Sequence, residues 1–309
     1  MTSRQFRLIA VGLGVLALAL IWGCSDESTD DSEYSAAETD RDALVALVGG
    51  DSDVDDVDAW SAEDAGGGST DELISPINWA RIGHRGDATF EVEIAGDTAA
   101  TITRTRHWDG TFRLITDTTG GERTRLDKPM YNVCVRKTHA IRVARTRYAR
   151  LNWRITEITP ETLASAAPNP HTVTPLRLQV TAAGENGPVT LLDLSDPLST
   201  YLNRESVVTV GAGQELTIYA TANTSDPAYA VIHPFVYRGG RLHRAPLHDD
   251  GIAPDILAGD GVYSGLFAAP QRAGLYHAAV DLLDWETMFD SEGAYDAGGW
   301  SIPYRVVSP

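Results

Sequence analysis

The chain has 309 residues, 43% of them hydrophobic, with a formal net charge of −18 at pH 7 and two cysteines. This apolar content can form packed cores, which excludes a fully disordered protein, and the length allows two domains. A net acidic chain lacks the concentrated positive surface that binds phosphates, so we expect no nucleic-acid partner. The acidity is uneven, because residues 25–72 hold 17 acidic residues and one basic residue, whereas residues 73–160 hold nine acidic and 15 basic residues.

Residues 1–23 have the pattern of a secretory signal peptide. Arg4 and Arg7 precede an apolar run over residues 8–22, which is shorter than the roughly 20 residues of a membrane-spanning helix. The motif Ile21-Trp22-Gly23-Cys24 resembles a bacterial lipobox, although Trp22 is bulkier than is usual there. The resemblance implies a bacterial lipoprotein, anchored to the membrane of the cell envelope through a lipid on Cys24 and facing away from the cytoplasm. Ser25 after the cysteine favours the outer membrane. The alternative is an ordinary signal or an anchor helix with a chance cysteine.

Helical signals follow an acidic segment. Residues 24–38 are acidic and poor in apolar side chains, which predicts a disordered tether. Thr39 and Asp42 have capping-box spacing ahead of apolar residues 44–48, and Gly49-Gly50 ends the pattern, so a short helix is expected there. Further helical turns are expected over residues 54–60 and around Leu73, Ile77 and Ile82.

From Thr89 onward the apolar residues alternate with polar ones, which predicts β-strands. Ala95-Gly96-Asp97 is expected to form a turn. Asp109-Gly110 between apolar runs has the pattern of a two-residue hairpin. Residues 118–128 read as a polar loop, and the last strand of this region is expected over residues 151–156.

This order of helices and then antiparallel strands, ending on Asn152-Trp153-Arg154-Ile155, is typical of α+β proteins. It resembles the cone-shaped fold of the nuclear-transport-factor-2-like and polyketide-cyclase-like group. The resemblance implies an α+β cone-like domain over residues 39–160. That group includes isomerases, dehydratases and non-catalytic binding modules, so the fold alone does not decide the function.

The remaining sequence predicts a second domain. Three prolines close together (Pro168, Pro170 and Pro175) mark residues 161–175 as a linker. Beyond it, short apolar runs recur between turn residues without a long helical pattern. Residues 176–309 are therefore predicted to form an all-β sandwich of seven to nine strands.

An arginine-rich segment is a candidate binding face. Arg142, Arg145, Arg147 and Arg150 lie within nine residues of one another. They suggest a surface for anions or for protein docking. The alternative is a solvated sheet surface, because runs of charge usually lie in water.

A second candidate site is the stretch from Asp249 to Tyr263. It resembles a loop of immunoglobulin-like domains in bacterial surface proteins, which implies an immunoglobulin-like sandwich. Its glycines permit turns with positive φ, and its aspartates can bind loop amides. The same carboxylates are candidate oxygen ligands for calcium. The four candidate ligands are Asp249, Asp250, Asp255 and Asp260.

These features favour a lipid-anchored binding or scaffolding protein outside the cytoplasm, with the membrane, and an envelope protein or glycan, as partners. No nucleophile elbow, phosphate loop or dinucleotide motif is present, so catalysis is not expected. Two alternatives remain: an isomerase or hydrolase with a pocket within residues 39–160, and a calcium-dependent adhesion or glycan-binding module. Cys134 lies in an apolar strand pattern and is expected to be a buried, inert thiol.

Overall fold

The computed structural model describes residues 39–51, 60, 76–117, 123–234 and 244–308. The predicted signal peptide, Cys24 and the acidic tether lie outside these residues. Residues 54–59 of the helical turns predicted over 54–60, and Leu73, also lie outside them. The described elements are α1 (Asp40–Gly49), β1 (Pro76–Arg85), β2 (Thr89–Ala95), β3 (Ala99–Asp117), β4 (Arg123–Arg142), a 3₁₀ turn (Ala149–Asn152), β5 (Trp153–Ile158), β6 (Glu161–Ser165), β7 (Thr174–Gly184), β8 (Gly187–Leu194), β9 (Leu202–Asn203), β10 (Thr209–Gly211), β11 (Glu215–Asn223), β12 (Ala228–Pro234), β13 (Ala245–Leu247), β14 (Val262–Ala268), β15 (Gly274–Asp284), α2 (Trp285–Phe289) and β16 (Ala297–Val307).

Helix α1 confirms the first predicted helix. The Thr39 side chain accepts a hydrogen bond from the Asp42 amide at 3.1 Å, and the Asp42 carboxylate accepts one from the Thr39 amide at 3.4 Å. This capping box satisfies amides that the first helical turn leaves unpaired. Leu44 and Val48 on one face are buried against the sheet, where they pack with Ile102, Ala140, Trp153, Ile155 and Ile158.

The predicted α+β cone-like domain is wrong. The chain is mostly β-structure, and α1 is the one α-helix that the structure describes within residues 39–160. Ile77 and Ile82, expected in a helix, lie in β1, which pairs with β3 from Pro76 to Arg85. Pairing along this length outweighs a helical pattern built on three apolar residues, since propensity is a weak guide against tertiary contacts.

The predicted hairpin at Asp109-Gly110 is also wrong. Both residues lie inside β3, opposite Tyr131 and Met130 of β4. A Cβ atom at Gly110 would lie 2.2 Å from the carbonyl oxygen of Ile82 in β1. The glycine therefore permits a close backbone approach between strands. Residues 118–122 of the predicted loop over 118–128 lie outside the described residues, and residues 123–128 lie in β4.

One large sheet collects 12 of the strands. Its main order is β1-β3-β4-β6-β16-β15-β12-β13, with β2 beside β3, β5 between β4 and β9, and β10 beside β16. β10 and β16 run parallel, and the other pairs described in this sheet are antiparallel. The turn predicted at Ala95-Gly96-Asp97 joins β2 to β3, with Gly96 at a φ of 59°.

The large sheet curls, so that strands distant in its order face each other. Arg81 on β1 contacts Asp281 on β15, although four strands separate β1 from β15 in the sheet. The sheet also passes through the segment predicted as a linker, because β6 pairs with both β4 and β16. Residues Glu38–Pro309 accordingly form one compact unit.

The sandwich-like architecture predicted for the second half is confirmed. The small sheet, β14-β11-β7-β8, packs on β12, β15 and β16 of the large sheet. Leu178, Ile218 and Phe267 of the small sheet share a core with Ile232 and Ile302. The immunoglobulin-like assignment stays a prediction.

A second core fills the curl of the large sheet. It joins Trp79, Phe112 and Leu114 of the first half to Leu283 and Phe289 of the second. Cys134 is buried in the same core, as predicted, and burial raises the pKa of its thiol well above the usual value. Among the described residues, no helix has the length and apolar character needed to cross a membrane.

Candidate functional site

Three of the four candidate arginines line one open cleft of about 360 Å³. We call it the arginine cleft. Its lining residues are Asp40, Arg142, Arg145, Thr146, Arg147, Ala149 and Asn152. Arg150, the fourth candidate, is exposed on the neighbouring 3₁₀ turn and is not among the lining residues.

Asn152 holds the loop that carries the arginines. Its Oδ1 accepts hydrogen bonds from the Thr146 amide at 2.7 Å and the Thr146 hydroxyl at 2.9 Å. Its Nδ2 donates to the Thr146 carbonyl at 3.0 Å, and its backbone carbonyl accepts from the Val143 amide at 2.7 Å. A buried amide whose hydrogen bonds are all made within one loop fixes that loop's shape.

Arg142 is the least exposed of the three cleft arginines. It pairs with the Asp40 carboxylate, donates to the Asp97 carbonyl at 2.7 Å, and lies 4.5 Å from the centre of the Trp153 ring. The hydrogen bonds from Arg142 and from the Trp153 indole hold the pKa of Asp40 below its usual value. The positive charge of Arg142 is therefore largely neutralised by Asp40 of the same protein.

Arg145 and Arg147 are more available. Arg145 pairs with Asp97 at 3.0 Å, with both side chains about 70% exposed, and exposed pairs of this kind contribute little stability. Arg147 stacks on Tyr148, with its guanidinium carbon 4.7 Å from the ring centre. No carboxylate pairs with Arg147 among the described residues. The guanidinium groups of Arg145 and Arg147 can therefore bind an anion from outside the protein.

Exposed apolar side chains belong to residues next to those that line the arginine cleft. Val143 is 52% exposed, Tyr148 is 41% exposed and Leu151 is 65% exposed. Arginine and tyrosine are enriched in protein interfaces and dominate their binding energy. A surface that combines these residues with exposed aliphatic side chains suits a protein partner.

A second basic cleft of about 320 Å³ lies beside β5. Arg154, Arg204 and Arg305 line it together with apolar residues such as Ile158 and Leu275. Arg204 pairs with Asp51 at 2.7 Å, so part of this charge is neutralised. Sequence reasoning missed Arg204 and Arg305, because the folded sheet brings them to Arg154 from 50 and 151 residues away.

The aspartate loop, residues 249–261, is built on carboxylate–amide hydrogen bonds. Asp249 accepts from the amides of Gly259 at 2.6 Å, Asp260 at 3.1 Å and Gly261 at 2.9 Å. Asp255 accepts from Gly251 and Ile256, and these amides lower the pKa of its carboxyl. Gly251, Gly259 and Gly261 have φ values of 71°, 73° and 78°, which confirms the predicted turns.

The loop brings together three of the four predicted metal ligands. Carboxylate oxygens of Asp249, Asp255 and Asp260 lie within 4.8 Å of one another, and Asp250 does not belong to this group. Asp250 instead accepts a hydrogen bond from the Ile252 amide at 2.9 Å. A carboxylate oxygen has more than one lone pair, so this set has the donors that a hard cation such as calcium prefers.

Three large apolar side chains project from the aspartate loop. Ile252, Ile256 and Leu257 are 70%, 88% and 62% exposed. We call them the apolar tip. Four aspartates and no lysine or arginine occur over residues 245–270. Exposed apolar groups this close together mark interaction sites more often than a single exposed residue does.

A buried polar network closes the curl of the large sheet. Arg81 donates to Asp281 at 2.8 Å and to the Tyr295 hydroxyl at 2.7 Å. Tyr295 donates to Asn132 at 3.1 Å, and His233 lies 3.2 Å from Asp281. Burial lowers the pKa of His233 to about 4 and raises that of Tyr295 to about 12. Burial alone would raise the pKa of Asp281, but Arg81 and His233 outweigh it and hold that pKa well below its usual value.

This network and its surroundings bear on the enzyme alternative. Trp79, Phe112, Leu114 and Met130 fill the interior next to it and are at most 1% exposed. The buried carboxylate and histidine come from β15 and β12, outside residues 39–160, and both are fully buried. The described side chains therefore fill the interior beside this network.

Comparisons of the sequence with known proteins found no family to which the site could be assigned. No protein-family model matches the chain, and no curated protein matches it significantly.

Proposed function

We propose that this chain is a lipid-anchored binding protein of the bacterial cell envelope, and that the arginine cleft binds an acidic protein partner. The lipobox-like sequence at Cys24 supports the anchor and the extracytoplasmic location, with the outer membrane favoured by Ser25. The single observation that carries the binding role is the gathering of Arg142, Arg145 and Arg147 in one open cleft. The exposed apolar side chains around the cleft favour a protein over a free anion or a glycan.

Binding to poly-L-glutamate tests the cleft. The Arg145→Ala/Arg147→Ala double variant removes two exposed charges and leaves Arg142 in place. We expect it to bind the polymer about tenfold more weakly than the wild type, equivalent to roughly 1.4 kcal/mol. Fluorescence anisotropy of labelled polymer at low ionic strength measures the difference, because salt screens exposed charges.

Arg272→Ala is the matched control, since Arg272 is an exposed arginine away from the cleft. It should leave the affinity unchanged. Equal affinities for all three proteins would contradict the assignment of the cleft.

The anchor is tested separately. Cys24→Ser removes the thiol that would carry the lipid, so we expect the protein to move from the membrane fraction to the soluble fraction of the producing bacterium. Immunoblotting of the two fractions measures this shift. Retention of the variant in the membrane fraction would overturn the anchor.

One observation favours a second candidate function, calcium-dependent adhesion: the approach of Asp249, Asp255 and Asp260 within 4.8 Å. A bound cation would stabilise the folded state by mass action. We expect calcium to raise the melting temperature of the wild type and not that of Asp249→Asn. An unchanged melting temperature in calcium would remove this candidate.

A further inference from the structure

The chain carries two exposed surfaces of opposite charge and similar character. Residues 141–154, around the arginine cleft, contain five arginines and no acidic residue. Residues 245–270, which include the apolar tip, contain four aspartates and no lysine or arginine. Asp40 and Asp97 pair with Arg142 and Arg145, but the five arginines outnumber these two carboxylates, so the two surfaces have net charges of opposite sign.

Both surfaces also present three large apolar side chains. Val143, Tyr148 and Leu151 lie beside the arginines, and Ile252, Ile256 and Leu257 form the apolar tip. An interface that buries apolar groups at its centre and pairs charges around them is the common form of protein recognition. The two surfaces therefore match in their exposed apolar side chains and in their opposite charges.

The complement of each surface cannot be the other surface of the same molecule. The exposed fractions of the tip and of Leu151, all above 60%, are those of side chains that none of the described residues covers. The aspartate loop is held in place by hydrogen bonds from its own amides to Asp249 and Asp255. Asn152 fixes the arginine loop in the same way.

We infer that the apolar tip of one molecule docks on the arginine cleft and its apolar surroundings in a second copy of this chain. The inference rests on the proposed function, because it names the partner of the same cleft. The contact joins two different surfaces, so each copy keeps one free cleft and one free tip. A head-to-tail contact of this type closes into a ring or extends into a chain of copies.

Cysteine cross-linking between two variants of the full chain tests the contact. Leu151→Cys places a thiol beside the cleft, and Leu257→Cys places one on the tip. Both proteins are purified in detergent, mixed in EDTA so that the aspartate loop keeps its charge, and treated with a short bismaleimide. Cys134 is buried, and the Cys24 thiol would carry the lipid in the anchored chain, so neither competes.

We expect the mixture to give a cross-linked dimer in several-fold higher yield than a mixture of Val189→Cys with Leu257→Cys. Val189 on β8 is a matched control, because it is an exposed apolar residue away from the arginine cleft. Adding Arg145→Ala and Arg147→Ala to the Leu151→Cys chain should lower the yield to that of the control. Equal yields from the two mixtures would overturn the inference.

The outcomes separate this inference from the proposed function. If the arginine variants lose poly-L-glutamate binding but no specific dimer forms, the cleft binds an acidic partner other than a second copy, and the inference is wrong. If poly-L-glutamate binding is also unchanged, the proposed function is wrong as well. Thermal melting of each variant, expected to match the wild type at these exposed positions, shows that it is folded.

Discussion

At the scale of single residues, burial changes the protonation of His233. It is fully buried, and burial lowers its pKa from 6.5 to about 4. Its Nε2 lies 3.2 Å from the Asp281 carboxylate, which Arg81 also binds. A histidine held neutral in the core couples folding to protonation.

We expect the free energy of unfolding to decrease as the pH falls from about 6.5 to about 4. Over this window the unfolded chain binds a proton at His233 and the folded chain does not, so acid favours the unfolded state. The loss is on the order of 3 kcal/mol, from a change of about 1.4 kcal/mol per pKa unit. Urea denaturation at several pH values measures it.

His233→Gln should flatten this dependence, whereas His107→Gln should leave it unchanged, because His107 is exposed. Carboxylates whose pKa is lowered by folding, such as that of Asp281, add their own loss of stability at lower pH. A wild-type stability that is constant between pH 6.5 and 4.5 would contradict the role assigned to His233.

At the scale of elements, the approach of β1 to β3 depends on glycine. Gly83 and Gly110 face each other across the two strands. A Cβ atom at Gly83 would lie 2.3 Å from the Asp109 carbonyl oxygen, and one at Gly110 would lie 2.2 Å from the Ile82 carbonyl oxygen. No real side chain tolerates these distances, so a larger residue must separate the strands.

We expect Gly110→Ala to lower the free energy of unfolding by about 1–3 kcal/mol, the usual cost of an overpacked site. The midpoint of urea denaturation measures the change. Gly86→Ala is the control, because its added Cβ would meet the His107 carbonyl oxygen at an ordinary 3.5 Å. Equal midpoints for the two variants would refute the close approach.

Local patterns predicted some elements and not others. The cap at Thr39 and Asp42 and the turn at Gly96 depend on neighbouring residues, and both were predicted correctly. Asp109-Gly110 has the same local signature as a turn, but its glycine serves a contact with β1, which no local pattern reveals. Sequence reasoning therefore failed where a distant strand decides the role of a residue.

The candidate site shows the same division. Arg142, Arg145 and Arg147 are neighbours in the sequence, so their grouping was visible before the structure. The ion pair of Arg142 with Asp40, 102 residues away, could not be predicted from the sequence. The glycines and aspartates of the loop predicted its turns, but not which three carboxylates would approach one another.

At the scale of the whole molecule, the two halves share one sheet and one core. β6 joins β4 to β16, and the second core mixes Trp79 and Phe112 with Leu283 and Phe289. The Arg81–Asp281 ion pair links the halves across the interior. Removing either half would expose the other half's buried surface and leave one of these charges unpaired.

We therefore expect residues 38–309 to unfold in one cooperative transition. Tryptophan fluorescence and far-ultraviolet circular dichroism should give the same midpoint in urea, because both halves lose their structure together. Two separate transitions, or midpoints that differ between the probes, would show that the halves are independent.

Asp40 gives the molecule a mechanical property. It is the first residue of α1, two positions after the acidic tether, and its carboxylate holds Arg142 in the arginine cleft. If the chain is anchored through Cys24 as proposed, a pull between membrane and partner enters the folded unit at this residue. A force applied through the anchor would act on the Asp40–Arg142 ion pair before it acts on any strand. Such a force would therefore act directly on an arginine of the cleft that is proposed to bind the partner.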